Sequence, residues 1–110
     1  MEFGEKVREL RKENGISLTE LASRLGVTKV YVSDVELGRR SPFSLARIKQ
    51  VSDVLGCDPF ELYVLSVRSR GHVTLPMEGV DDRQSRLASV LSYRWNDFSS
   101  DELDKLIGAL

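Results

Sequence analysis

The chain has 110 residues, 41% of them hydrophobic and 30% charged, with sixteen Lys/Arg against seventeen Asp/Glu. That length holds one modest core or a small domain with an appendage, and the composition suits a soluble globular protein and not a disordered one. No apolar run approaches the roughly 20 residues of a membrane span. MEFGEKVREL lacks the apolar stretch of a secretory leader, and the single Cys57 has no internal disulfide partner, so a cytoplasmic protein is expected.

In chain order, FGEKVRELRKEN places Phe3, Val7 and Leu10 at helical spacing and is followed by Gly15, a stop signal. Ser17 and Glu20 form an S-x-x-E capping-box pattern ahead of a second helix. Its buried stripe is Leu21, Ala22 and Leu25, and Gly26 ends it. Thr28 is the N-cap candidate of a short third helix with a Val32 and Val35 core stripe running up to Gly38. After the Ser41-Pro42 break, Ser44 can cap a fourth helix. Along it Leu45, Ile48, Val51, Val54 and Leu55 recur at three and four residues before Gly56. Asp58, Pro59 and Glu61 supply an acidic cap, a first-turn proline and a capping-box glutamate for a fifth helix reaching about Leu65.

From Arg68 to Asp82 the periodicity lapses, with two glycines and a proline; only His72 to Leu75 alternates, as a short extended piece would. Beyond it Leu87, Val90, Leu91, Trp95 and Phe98 mark one helix face. Ser99 to Glu102 caps another helix, whose Leu103, Leu106, Ile107 and Leu110 follow at i, i+3, i+4 and i+7. Two such amphipathic helices cannot hide their stripes from water alone. They must pack on each other, on the first domain or on a second chain. The expected organisation is all-α: a five-helix domain over 1–67, a linker over 68–79 and a C-terminal helical region over 80–110.

Charge follows the same division. Residues 1–70 carry twelve basic and ten acidic side chains, and residues 71–110 carry four and seven. Nucleic acid is therefore a possible partner for the first part and a poor one for the acidic tail.

The stretch SLTELASRLGVTKVYVSDVELGRRSP has the spacing of a helix-turn-helix: a small Ala22 where helices cross, Gly26 at the corner, and Val32 and Val35 plugging the third helix into the others. Residues 3–65 resemble the Xre/Cro-type helix-turn-helix regulators of bacteria and phages. The resemblance is carried by Ser17, Leu21-Ala22, Leu25-Gly26-Val27, Tyr31, Ser33, Glu36, Gly38, Arg39-Arg40 and Pro42. It implies a repressor-like DNA-binding domain whose helix 29–37 enters the major groove. It also implies that Glu36 forms a structural ion pair with Arg11. Leu18 stands where members often carry Gln, and Val30 and Asp34 where they often carry amide side chains.

The residues point the same way. With Val32 and Val35 facing inward, Lys29, Val30, Ser33 and Asp34 remain for the outer face. Lys29 can donate to guanine or phosphate, Val30 can touch a thymine methyl, and Asp34 can accept from cytosine N4. Thr28, Tyr31 and Ser33 offer hydroxyls to phosphates, and Arg39 and Arg40 add charge. One short recognition helix reaches few base pairs, so a homodimer on a palindromic operator is expected, with Leu87, Val90, Leu91, Trp95, Phe98, Leu103, Leu106 and Ile107 as its interface. The alternative is a protein-interaction module, such as an antitoxin or partner-binding regulator, in which the C-terminal helices carry the main function.

Other residues read more simply. His72 has no metal-ligand pattern beside it, Cys57 reads as core, and Trp95 reads as an anchor of a helix interface. Neither a phosphate loop nor a nucleophile with a placed histidine is present, and no enzyme activity, cofactor or metal is expected.

Overall fold

The computed structural model describes residues 1–110 and contains seven helices and no strand. They are α1 (Phe3–Glu13), α2 (Leu18–Leu25), α3 (Lys29–Glu36), α4 (Leu45–Leu55), α5 (Pro59–Arg70), α6 (Asp82–Tyr93) and α7 (Ser100–Gly108). The chain divides into two compact units, Met1–Val73 and Thr74–Leu110.

In the first unit the helix starts follow local chemistry. The Ser17, Thr28 and Ser44 hydroxyls accept backbone N–H groups three residues ahead, at 3.1, 3.1 and 3.3 Å, each satisfying a donor that the helix cannot. The Ser17 capping box forms only this half, because the Glu20 carboxylate turns to Arg24 Nη2 at 2.8 Å. At α5 the Asp58 carboxylate accepts from the Phe60 N–H, and Glu61 does not reach back. Gly26, at φ 69°, ends α2 with the Val27 N–H donating to the Ala22 carbonyl, a left-handed corner that a side chain would oppose.

The core is assembled from Phe3, Val7, Leu21, Leu25, Val32, Val35, Phe43, Ile48, Val51, Leu55 and Leu62. Helix α1 packs on α3 and α5, α2 on α3 and α4, and α4 on α5. Leu45, the first residue of the expected α4 stripe, is exposed instead, because Phe43 just ahead of the helix occupies the interior. Cys57 is half-buried against the core.

Helix α5 continues through Arg70, so Arg68 and Arg70 belong to its last turn and not to the following linker. Residues His72 to Leu75 have no strand partner and no strand.

In the second unit, α6 and α7 each start with a complete capping box, Asp81 with Gln84 and Ser99 with Glu102. Arg94 donates to Glu102 at 2.7 Å and lies 4.8 Å from the centre of the Phe98 ring. Helix α6 stops at Tyr93, so Trp95 and Phe98 sit in the turn between the helices and not on an α6 face as expected. The turn follows from Asn96 and Asp97, poor helix formers that precede the Ser99 cap. No residue of α6 or α7 is buried.

Candidate nucleic-acid interface

Three supports fix α3. The Gly26 corner brings it back across α2, its Val32 and Val35 side chains are buried, and Glu36 is tied to α1. Arg11 Nε and Nη2 donate to the two Glu36 carboxylate oxygens at 2.8 and 3.0 Å, and Nη1 donates to the Ile16 carbonyl at 3.0 Å. The planar fork satisfies both oxygens of a carboxylate that could not otherwise be buried. The hydrogen bond to Glu36 raises the Arg11 pKa above its ordinary value, outweighing the opposing effect of burial.

Helix α1 touches α3 backbone to backbone. A Cβ on Gly4 would collide with the Val35 and Glu36 carbonyl oxygens and stand 2.7 Å from the Glu36 carbonyl carbon. Only glycine permits that approach. The signal in the sequence is a glycine in the first turn of an amphipathic helix, where a better helix former would fit the pattern.

The opposite face of α3 is open. Thr28 and Lys29 are exposed, and Val30 is 68% exposed, a large apolar side chain with no packing role. Ser33 and Asp34 are half-buried on the same helix. Asp34 stands 3.9 Å from Arg39 Nη1, which offsets part of its charge. Arg39 and Arg40 are exposed in the loop after α3.

Tyr31 differs from the sequence expectation of a residue valued for its hydroxyl alone. Its half-buried ring packs on Phe43 at 5.8 Å, and Phe43 meets Phe3 edge-on at 5.8 Å. The Arg40 and Arg47 guanidiniums lie 5.1 and 5.8 Å from the centre of the Tyr31 ring. Sequence reading missed Arg47, which lies sixteen positions beyond Tyr31 and matches no local motif. It also missed Arg70, whose Nη2 donates to the Pro42 and Phe43 carbonyls at 2.6 and 3.1 Å and so pins the segment leading into α4. His72 Nδ1 lies 3.2 Å from the Arg70 carbonyl.

The residues expected to form an interface between chains are in the second unit. Leu87, Val90, Leu103 and Leu106 are exposed, Trp95 and Ile107 strongly so, and Leu91 and Phe98 are half-buried. Leu87, Val90, Leu91, Phe98 and Leu106 line one apolar groove between α6 and α7.

Comparison with known proteins agrees with this geometry. The helix-turn-helix family model matches residues 7–62. The HTH-type transcriptional regulator SinR of Bacillus subtilis is 40% identical over 53 residues, 48% of this chain and 48% of SinR, so the chain spans about half the length of that relative in the match. The crystal structure of SinR, the master regulator for biofilm formation, in complex with DNA superposes with a TM-score of 0.51 at 36% identity, covering 56% of this chain and 97% of that one. A structure of a SinR–SinI protein complex covers 97% of this chain and 92% of that one, with a TM-score of 0.51 at 24% identity, a likeness of fold that includes the C-terminal helices. The chain belongs to the helix-turn-helix family, in its Xre/Cro type, a family of DNA-binding transcriptional regulators and not of enzymes.

Proposed function

We propose that this protein is a sequence-specific transcriptional repressor that binds a palindromic operator as a homodimer, with α3 in the major groove. The observation that carries the reading is the outward face of α3. Lys29 and the unpacked Val30 project from a helix held rigidly from behind by Val32, Val35 and the Arg11–Glu36 pair. In this reading Lys29, Val30 and Asp34 meet base edges, while Thr28, Tyr31, Ser33, Arg39 and Arg40 meet the backbone. The fold shared with DNA-bound SinR supports it.

The homodimer is proposed from the second unit. Two capped helices with no buried residue, and the turn between them, expose Leu87, Val90, Trp95, Leu103, Leu106 and Ile107, more apolar surface than a stable isolated hairpin tolerates. An isologous interface covers that surface and joins two copies of α3 in one molecule, as half-sites about one DNA turn apart, roughly 34–36 Å, demand.

Selection of bound sequences from a random duplex pool tests the reading. A palindrome with half-sites about one turn apart is expected, with affinity falling steeply with salt. Absence of enrichment would sink the repressor assignment. Light scattering that shows a monomer at high concentration would sink the dimer.

The same unburied face also favours a second reading, in which the helices dock a regulatory protein and DNA binding is secondary. Replacing Lys29, Val30 and Asp34 with alanine separates the two: activity in cells that survives this change supports the interaction module.

A further inference from the structure

Resting on the DNA-binding reading, we propose that Arg40, Tyr31 and Arg47 form a phosphate clamp, in which one aromatic ring holds two guanidiniums ready for the DNA backbone beside the recognition helix. Arg47 is the new member.

Three features of this cluster suit it to an external anion. The two guanidiniums share the Tyr31 ring, at 5.1 and 5.8 Å from its centre. Neither belongs to any of the six ion pairs of the chain, so both charges at this ring are left without a carboxylate partner. Finally, the half-buried Arg47 side chain makes no hydrogen bond within the chain: Nη1 is enclosed, and the remaining guanidinium nitrogens are the ones open to an anion.

The ring itself is not free to move. Tyr31 rests on Phe43 and Phe43 on Phe3, so the platform is anchored in the core. Arg47 is held from the other side, because its backbone N–H donates to the Ser44 hydroxyl in the first turn of α4. Tyr31 lies on α3 next to the exposed Lys29 and Val30, which places the clamp at the flank of the groove-reading face.

Two neighbouring phosphodiesters are the matching partner. Each sets one negative charge against one cation, and its oxygens fit the planar guanidinium fork better than they fit a lysine. The contact reads no base, so it contributes equally on every sequence and fixes the register of α3. Stacking limits the side-chain freedom that each arginine loses on binding.

The test is the affinity of the full chain for a selected duplex and for an unrelated duplex, each across a salt series. Arg47→Met keeps the aliphatic bulk and removes the charge. It should flatten the slope of log affinity against log salt by about 0.9, the release of one phosphate's counterion. The affinity loss should be the same factor on both duplexes. Arg47→Lys should restore the slope but only part of the affinity. Tyr31→Phe keeps the platform and should keep the slope, whereas Tyr31→Leu should flatten it.

Wild-type binding with an unchanged slope in Arg47→Met overturns the clamp and leaves the DNA reading intact. An unchanged slope in Tyr31→Leu also overturns it, because the ring would then not be holding the guanidiniums. No binding of either duplex by the wild type removes the DNA reading and the clamp together. Arg47→Gln, which keeps a polar group at the half-buried position and removes the charge, provides the same slope reading if Arg47→Met fails to fold.

Discussion

Replacing Gly4 with alanine sets two effects of opposite sign against each other. Alanine is the better helix former, a gain of at most about 1 kcal/mol in a helix interior and less near an end, where Gly4 lies. Against this, the new Cβ would stand 2.7 Å from the Glu36 carbonyl carbon and collide with the Val35 and Glu36 oxygens. Comfortable carbon–carbon separation is about 3.5–4.0 Å, so α1 and α3 must part by roughly 1 Å. The obstacle is backbone, which no rotamer change can clear. Overpacking of this kind costs about 1–3 kcal/mol, and parting the helices also strains the Arg11–Glu36 fork. The net expectation is a loss of about 1–2 kcal/mol, or a drop in Tm of roughly 5–15 °C for a unit of this size. Trp95 is the only tryptophan and lies in the second unit, so its fluorescence follows the wrong helices. Hydrogen exchange at α1 and α3 amides, with far-UV circular dichroism for the melting point, reads the right ones. A Gly4→Ala protein as stable as the wild type, or more so, would refute the close approach and leave helix propensity in control.

Glu36→Ala leaves Arg11 buried without its partner and should cost about 3–5 kcal/mol in urea unfolding, whereas Arg11→Met with Glu36→Leu together should cost far less. A double change as damaging as the single one would contradict this account. Thr28→Ala removes the acceptor for the Tyr31 N–H and should destabilise the start of α3 by about 1 kcal/mol, read by exchange at the Lys29 to Val32 amides. In the second unit the N–H of Gln84 lowers the Asp81 pKa, chiefly, and the Arg94 side chain chiefly lowers that of Glu102. A depressed carboxylate stabilises above its unfolded value, so the starts of α6 and α7 should loosen as pH falls from about 4 through the depressed values. Chemical shifts of the Arg83 to Ser85 and Glu102 to Leu103 amides follow this, and no change on acidification would contradict it. Ile107→Glu, at a side chain 71% exposed, should leave the first unit's unfolding unchanged within about 0.5 kcal/mol and should shift sedimentation toward monomer.

What the sequence determined by itself was set by interactions a few residues apart. Ser17, Thr28, Ser44, Asp58 and Ser99 each satisfy a nearby backbone donor, so their helices could be placed before any tertiary contact was known. The stripes of Leu21, Leu25, Val32, Val35, Ile48 and Val51 told which faces are inside, because helical periodicity is a local property. Resemblance added the Arg11–Glu36 pair, which no local rule links across twenty-five positions. Tertiary structure alone decided the rest. Phe43 has no periodic neighbours, so its burial over Leu45 depends on the shape of the space left by α1 and α3. Gly4 is a weak helix residue until α3 is laid across it. Arg47 is one more surface-type cation until the turn after α3 folds it over Tyr31, where charge and ring meet only because two helices do.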